Sequence, residues 1–176
     1  MEVAAEWRGP ATVFVVVGDG EDRAAVEALA RRRGVGERFA FVGPVPHAEV
    51  ARYVAAADVC VAPYAPDRHP LFRRYGMDRD PIKVLEYMAT GAPCVTIDTP
   101  RMRSLFEAGV EVALYPPEDA SALRGELSSL LSDGDRARRM GALGAARVRR
   151  DYTWGRHAEE LEAIFREAME RRAAGR

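Results

Sequence analysis

Lys83 and Glu86 are the two residues whose types and spacing most clearly suggest chemistry. Lys83 is the only lysine of a chain that otherwise uses arginine, and it lies three residues before Glu86. Asp80 can cap a helix, Pro81 suits its first position and Gly91 suits the position after its end, so a short helix is predicted here. Residues three apart share one side of a helix, and the free N–H groups at a helix start favour an anion. The pattern therefore predicts a phosphate beside Lys83 and a hydroxyl group beside Glu86.

The composition is that of an ordinary globular chain. Of its 176 residues, 48% are hydrophobic, which is enough for a core, and no apolar run reaches the roughly 20 residues that a membrane helix needs. The net charge of -1 gives no overall basic character that would favour nucleic acid. The first residues lack the charged-then-apolar order of a signal peptide. We therefore expect a cytoplasmic protein that has no transmembrane segment and binds no nucleic acid.

The two cysteines, Cys60 and Cys94, each lie within an apolar stretch. No histidine or further cysteine stands at metal-ligand spacing from them. A cysteine in such surroundings behaves as a small hydrophobic side chain. We therefore expect both cysteines in the core rather than in a redox or metal site.

Short apolar stretches alternate with helical patterns along most of the chain. Residues 13–17 predict a buried strand that ends in the turn Gly18-Asp19-Gly20. Strands that are separated by helices usually pair in parallel. The order therefore predicts an α/β fold, with a parallel sheet sandwiched by helices. Further strands are predicted at residues 38–42, 59–62, 93–97 and 110–114.

The last third of the chain is predicted to be helical. A junction at Tyr152-Thr153-Trp154 separates a final helix from the helices before it. We therefore divide the chain into an α/β domain at residues 1–151 and a C-terminal helix at residues 152–176. Leu161, Ile164 and Phe165 repeat at helical spacing on that final helix, and we expect them to face inward.

Five segments of the sequence form an ordered set of motifs. They are FVVVGDG at 14–20, FVG at 41–43, ADVCVAP at 57–63, K-x-x-E-Y-M-A-x-G-x-P at 83–93 and YTW at 152–154. This order resembles the C-terminal, donor-binding domain of GT-B glycosyltransferases, and in particular the large retaining group called family four. The resemblance covers nearly the whole chain, and residues 86–93 are its most specific part.

The resemblance implies a Rossmann-like fold and a function. The donor would be a nucleotide-diphosphate sugar, bound without a metal, whose sugar is transferred to an acceptor with retention of configuration. Glu86 would bind the ribose, whereas Ile82 and Lys83 would meet the diphosphate, and Lys83 would stabilise the leaving group during catalysis. Asp78 stands eight positions before Glu86, where the family usually has the glutamate that approaches the transferred sugar. Residues 79–83 replace the glycine-rich loop that commonly precedes the helix.

Two turns complete the site that the resemblance implies. Gly18 and Gly20 would border the nucleotide cleft, and the turn at residues 43–46, including Val45, would meet the base through its backbone. The residues leave UDP, GDP and ADP sugars open as donors, and they do not identify the sugar.

The family also has parts that these residues lack. In the resembled enzymes a first Rossmann-like domain binds most of the acceptor, and the donor-binding domain begins with a strand and a basic loop. Residues 4–7 instead resemble the end of the helix after that strand. We therefore expect a fragment that meets its acceptor only through a missing N-terminal domain and shows negligible transfer by itself. Its sheet should have a gap, or an unusual pairing, between the strands at residues 13–17 and 59–62.

Two other functions fit the same residues. A sugar-nucleotide epimerase or hydrolase of the same fold would need catalytic acids or a base within a two-domain cleft. A non-catalytic module would bind a nucleotide or a partner protein, which the aspartate at position 78 favours. The presence of Lys83 and Glu86 favours the enzyme. A receiver or flavin-binding domain would explain the alternation of strands and helices, but not the motif at residues 83–93.

Overall fold

The computed structural model describes residues 1–65, 74 and 81–175. In these ranges strands and helices alternate as predicted, and the α/β class is confirmed. The strands are β1 (Phe14–Val17), β2 (Phe39–Gly43), β3 (Cys60–Ala62), β4 (Cys94–Ile97) and β5 (Ala113–Tyr115). The helices are α1 (Glu2–Ala5), α2 (Arg23–Arg32), α3 (His47–Ala55), α4 (Ile82–Ala89), α5 (Pro100–Leu105), α6 (Ala120–Ser132), α7 (Gly134–Asp151) and α8 (Trp154–Ala173).

The strands form two parallel sheets. β1 pairs with β2, and β3, β4 and β5 pair in that order. Among the described residues, no strand pairs with the second edge of β1 or with that of β3. Phe14 of β1 and Val61 of β3 nevertheless pack against one hydrophobic cluster, so the two sheets share a core. The gap predicted between these two strands is therefore present.

Residues 13–17 were predicted to form a buried strand. A strand is present, but most of its side chains are not buried. Val13, Val15 and Val16 are 62%, 56% and 40% exposed, whereas Phe14 packs against the core. An apolar run indicates a strand, but burial requires neighbours beside the strand and over both of its faces. In the described chain β1 has only β2 beside it, so most of its side chains remain in contact with solvent.

β4 is the centre of the core. Its residues Cys94, Val95, Thr96 and Ile97 are each 0% exposed. β4 has a parallel partner on each side, which is the situation in which an unbroken apolar run is expected. The hydroxyl of Thr96 donates a hydrogen bond to the carbonyl oxygen of Ala62 at 3.0 Å, so the one polar side chain of β4 is satisfied.

The prediction that both cysteines lie in the core is confirmed. Cys60 is 7% exposed and Cys94 is 0% exposed, and they are register partners in β3 and β4. Both are free thiols. Burial raises the pKa of Cys60 to about 11 and raises the pKa of Cys94 as well.

We expect both thiols to resist alkylation by iodoacetamide at mildly alkaline pH while the chain is folded. The thiolate is the reactive species, and burial both disfavours the thiolate and blocks access to it. Mass spectrometry after timed labelling measures the reaction, and the same chain in denaturant is the control for full reactivity. Rapid labelling of Cys60 or Cys94 in the native chain would show that the core between β3 and β4 opens.

The C-terminal helix α8 does not pack as predicted. Leu161, Ile164 and Phe165 are 38%, 59% and 64% exposed, and within the described chain no residue of α8 is buried. Helical spacing identifies an apolar face, but it does not identify the surface that covers the face. The division of the chain at residue 152 remains a prediction. None of the helices in the described ranges combines the length and the apolar character that a membrane crossing requires.

Candidate functional site

The start of α4 carries exposed hydrogen-bond donors. The helix begins at Ile82, and Pro81 is its N-cap without a side-chain capping bond. Val84 and Leu85 both donate backbone hydrogen bonds to the carbonyl oxygen of Pro81, at 2.8 and 3.1 Å. The N–H groups of Ile82 and Lys83 donate no hydrogen bond within the described residues. These two N–H groups are therefore available to an anion.

The predicted start of this helix is wrong by one residue. Pro81 was expected as the first helical residue, but it has φ -80° and ψ 67°, which is not a helical conformation. Asp80, the expected cap, lies outside the described residues. The predicted end is confirmed, because the chain leaves the helix at Gly91 with φ +84°, a conformation that suits glycine.

The topology places the start of α4 at one edge of the larger sheet. α4 connects β3 to β4, which are parallel neighbours. The connection must run back along the sheet, so a crossover helix starts near the carboxyl ends of the strands. Ligands of open α/β sheets bind at this edge. The N–H groups of Ile82 and Lys83, which have no partner among the described residues, therefore lie where such a ligand is expected.

The two faces of α4 have different roles. Val84 and Met88 are 0% and 1% exposed and pack against the core. Ile82, Lys83 and Glu86 are exposed. Among the described residues, the side chains of Lys83 and Glu86 form no ion pair or hydrogen bond, either with each other or with a neighbour. The packing of one face thus holds an amine and a carboxylate on the other face, where both can bind a ligand.

The turns after β1 and β2 form the second part of the candidate site. The N–H of Gly18 donates a hydrogen bond of 2.8 Å to the carbonyl oxygen of Gly43, with φ +123° at Gly18 and φ +85° at Gly43. Gly20 belongs to the first turn, and half-buried Val45 belongs to the second. Because β1 and β2 are parallel, both turns lie at the carboxyl edge of their sheet. The structure thus places Gly18, Gly20 and Val45 in two turns at the same edge of this sheet, and their role in binding a nucleotide stays a prediction.

Helix α3 connects the two parts of the site. It begins at His47, directly after the turn that contains Val45. Val50 and Val54 of α3 pack in one cluster with Tyr87 of α4. No hydrogen bond or ion pair within the described residues joins the turns to Lys83 or Glu86, so α3 provides the contact between the two parts.

The residues of the candidate site lie in a segment that matches a known protein family. The sequence matches the family described as glycosyl transferases group 1 over residues 2–133, which is most of the chain. The chain belongs to this family. The turns, α3 and α4 all fall within the matched range.

The chain is also similar to known sugar-transferring proteins and to solved structures. The chain is 27% identical over 169 residues to the alpha-D-kanosaminyltransferase of Streptomyces kanamyceticus, a match that covers 95% of this chain and 41% of that protein. The fold is similar to that of sucrose-phosphate synthase from Thermosynechococcus elongatus, with a TM-score of 0.77, 27% identity, and coverage of 96% of this chain and 41% of that one. The expected GT-B fold is confirmed.

A further solved structure contains a ligand. Anabaena Alr3699/HepE in complex with UDP-glucose matches 93% of this chain and 43% of that one, with a TM-score of 0.73 and 18% identity. At this identity the likeness shows the fold alone. This group 1 chain thus spans about two fifths of the length of each of these three relatives.

Two residues beside the candidate site of this chain, Tyr64 and Arg23, were not predicted from the sequence. Tyr64 follows β3, and burial raises its pKa, with smaller contributions from Cys94 and Glu86 nearby. Its signal in the sequence was an aromatic residue directly after a strand. Arg23 lies between the two turns, where its guanidinium is within reach of Gly43. No local pattern pointed to Arg23, because its contacts are distant in sequence.

Asp78 lies outside the described residues, so its role remains a prediction. In the ranges that the structure describes, no group of three or more histidine, cysteine, aspartate or glutamate residues could hold a metal ion.

Proposed function

We propose that the complete protein transfers a sugar from a nucleotide-diphosphate sugar to an acceptor with retention of configuration, and that this chain holds the donor. The observation that carries the proposal is the start of α4, where Lys83, Glu86 and two free N–H groups are exposed together without partners among the described residues. Membership of the group 1 glycosyl transferases supports it. Retention rests on the resemblance to the family-four group.

The diphosphate of the donor would bind at the start of α4. The N–H groups of Ile82 and Lys83 would donate to phosphate oxygens, and the Lys83 ammonium would add a full positive charge. Negative charge on the diphosphate grows as the bond to the sugar breaks. A fixed cation and a helix N-terminus would therefore stabilise the transition state more than the ground state.

The nucleoside would bind between α4 and the two turns. The exposed carboxylate of Glu86 would accept hydrogen bonds from the ribose hydroxyls. The turn that contains Val45 would meet the base through its backbone, with Gly18 and Gly20 bordering the cleft. Asp78 would approach the transferred sugar. The acceptor would bind through a part of the protein outside this chain, and no metal would take part.

We place the reaction in the cytoplasm. The two free thiols support this location, because Cys60 and Cys94 are neighbours in adjacent strands and remain unbridged, which fits a reducing compartment.

Titration calorimetry of the chain with UDP, GDP and ADP tests the proposal. We expect at least one of the three to bind. Glu86→Gln should weaken the binding of that nucleotide and of its parent nucleoside alike, by about 2 kcal/mol or close to 30-fold. The reason is that the ribose loses a charged hydrogen-bond acceptor.

Glu37→Gln is the matched control for this substitution. Glu37 is an exposed glutamate in the turn before β2, at the opposite end of that strand from Gly43, and its loss should leave the affinity unchanged. If the chain shows a cooperative thermal transition but binds none of the three nucleotides, it does not hold the donor. If a nucleotide binds but Glu86→Gln has no effect, the site is not at α4.

A further inference from the structure

Arg23 stands where the turns after β1 and β2 meet. It is the first residue of α2, and its N–H donates to the carbonyl oxygen of Gly20 at 3.1 Å. The second turn joins the first through the hydrogen bond from Gly18 to Gly43. The Arg23 side chain reaches from the first turn to the end of β2, where Nη2 lies 3.5 Å from the carbonyl oxygen of Phe41 and Nη1 lies beside Gly43, the first residue of the second turn. Arg23 thus contacts both turns at once.

A bulge in β2 explains why the second turn comes so close. Phe41 pairs with Val16, but Val17 pairs with Gly43, so Val42 is an extra residue in β2. A bulge bends its strand, and here Gly43 lies against the Arg23 guanidinium. A Cβ on Gly43 would stand 2.8 Å from Nη1 of Arg23. Only glycine at position 43 therefore leaves the guanidinium its present place.

One end of the guanidinium remains available to a ligand. Nε donates a hydrogen bond of 2.9 Å to Glu27, and Nη2 makes the long contact to Phe41. Within the described residues, Nη1 donates no hydrogen bond, and the side chain is 34% exposed. Glu27 holds the planar group through a charge-assisted bond, so the free N–H groups have a fixed direction beside Gly43.

We infer that Arg23 reads the base of the donor nucleotide. The inference rests on the proposed function, because the turn proposed to meet the base contains Gly43 and Val45. A guanidinium only donates hydrogen bonds, so its partner on a base must be an acceptor. Uracil and guanine present exocyclic carbonyl oxygens, whereas adenine has only ring nitrogens as acceptors and carries an amino donor in place of the guanine oxygen. The site therefore takes a uracil or guanine nucleotide and discriminates against an adenine nucleotide.

The ratio of affinities among UDP, GDP and ADP tests the inference. We expect the wild-type chain to bind UDP or GDP about tenfold more tightly than ADP, or better. Arg23→Ala should weaken the binding of the preferred nucleotide and leave the binding of ADP nearly unchanged. The ratio of the two affinities should then fall to about threefold or less. Arg23→Gln should lower the ratio as well, because an amide can both donate and accept and suits the edge of adenine.

Arg31→Ala is the matched control. Arg31 lies on the same helix and faces the same Glu27 at 4.0 Å, but it is 69% exposed at the far end of α2. Its loss should not change the ratio. Two results would overturn the inference: a preference of the wild-type chain for ADP, or an equal loss of affinity for all three nucleotides in both Arg23 variants. Arg23 would then only hold the two turns together. Absence of any binding to the folded wild-type chain would instead contradict the proposed function.

Discussion

Gly141→Ala should lower the free energy of unfolding by about 3 kcal/mol, the largest effect expected for a methyl group added at any of the described glycines. A Cβ on Gly141 would overlap the carbonyl oxygen of Gly91 and stand 3.4 Å from the nitrogen of Pro93. Both neighbours are backbone atoms of the turn that joins α4 to β4. Because β4 is completely buried, this turn cannot move away without disturbing the core.

The matched control is Gly125→Ala in α6. A Cβ on Gly125 would meet nothing within 4 Å, and alanine is the better helix former by about 1 kcal/mol. Gly125→Ala should therefore stabilise the chain, whereas Gly141→Ala destabilises it. Gly144→Ala should fall between them, because a Cβ there would stand 3.0 Å from the carbonyl oxygen of Glu111.

Urea denaturation of the three variants, followed by circular dichroism, measures these differences. If the midpoint of Gly141→Ala equals that of the wild type, α7 does not approach the turn before β4 as closely as described. If both Gly141→Ala and Gly125→Ala are destabilised equally, the effect is not specific to the contact with Gly91.

Lys83→Met should weaken the binding of the preferred nucleoside diphosphate by about 2 kcal/mol, close to 30-fold, without changing the binding of its parent nucleoside. Lys83 is exposed at the start of α4, beside N–H groups that have no partner in the described part of the chain, so its ammonium can reach a phosphate. Methionine keeps a similar length and apolar stem but has no charge. Calorimetry with the diphosphate and with the nucleoside separates the two contributions.

Salt dependence and Glu86→Gln provide the controls for Lys83→Met. Added salt should weaken diphosphate binding to the wild type more than to Lys83→Met, because the variant has lost a charge that salt would screen. Glu86→Gln should weaken the binding of the nucleoside and of the nucleoside diphosphate equally. Two residues three positions apart would then act on different parts of one ligand. An equal loss of nucleoside and diphosphate binding in Lys83→Met would contradict the assignment of Lys83 to the phosphates.

The helix that carries the candidate site was predictable from local sequence. Gly91 ends α4 as predicted, and Lys83 and Glu86 share its exposed face, because their relative direction follows from the pitch of a helix. The start was wrong by one residue, because Pro81 has a non-helical backbone conformation and α4 begins only at Ile82. The ligand itself was inferred from the family resemblance, and Asp78 lies outside the described residues.

Burial was predicted less well than secondary structure. Cys60 and Cys94 lie in the core as expected, because their strands have neighbours. Val15 of β1 and Phe165 of α8 belong to equally apolar patterns, yet both are exposed. The pattern of a segment is the same whether or not another segment covers it, so the sequence could not separate these cases.

By itself, the sequence determined the order and type of the elements, the parallel fold and the presence of Lys83 and Glu86 on one short helix. These features depend on hydrogen bonding and side-chain spacing over a few neighbouring residues. Only the tertiary structure decided which apolar faces are covered, that Arg23 lies against Gly43, and that Gly141 touches Gly91. Such contacts join residues far apart in the chain, and close packing sets their distances, so no local pattern records them.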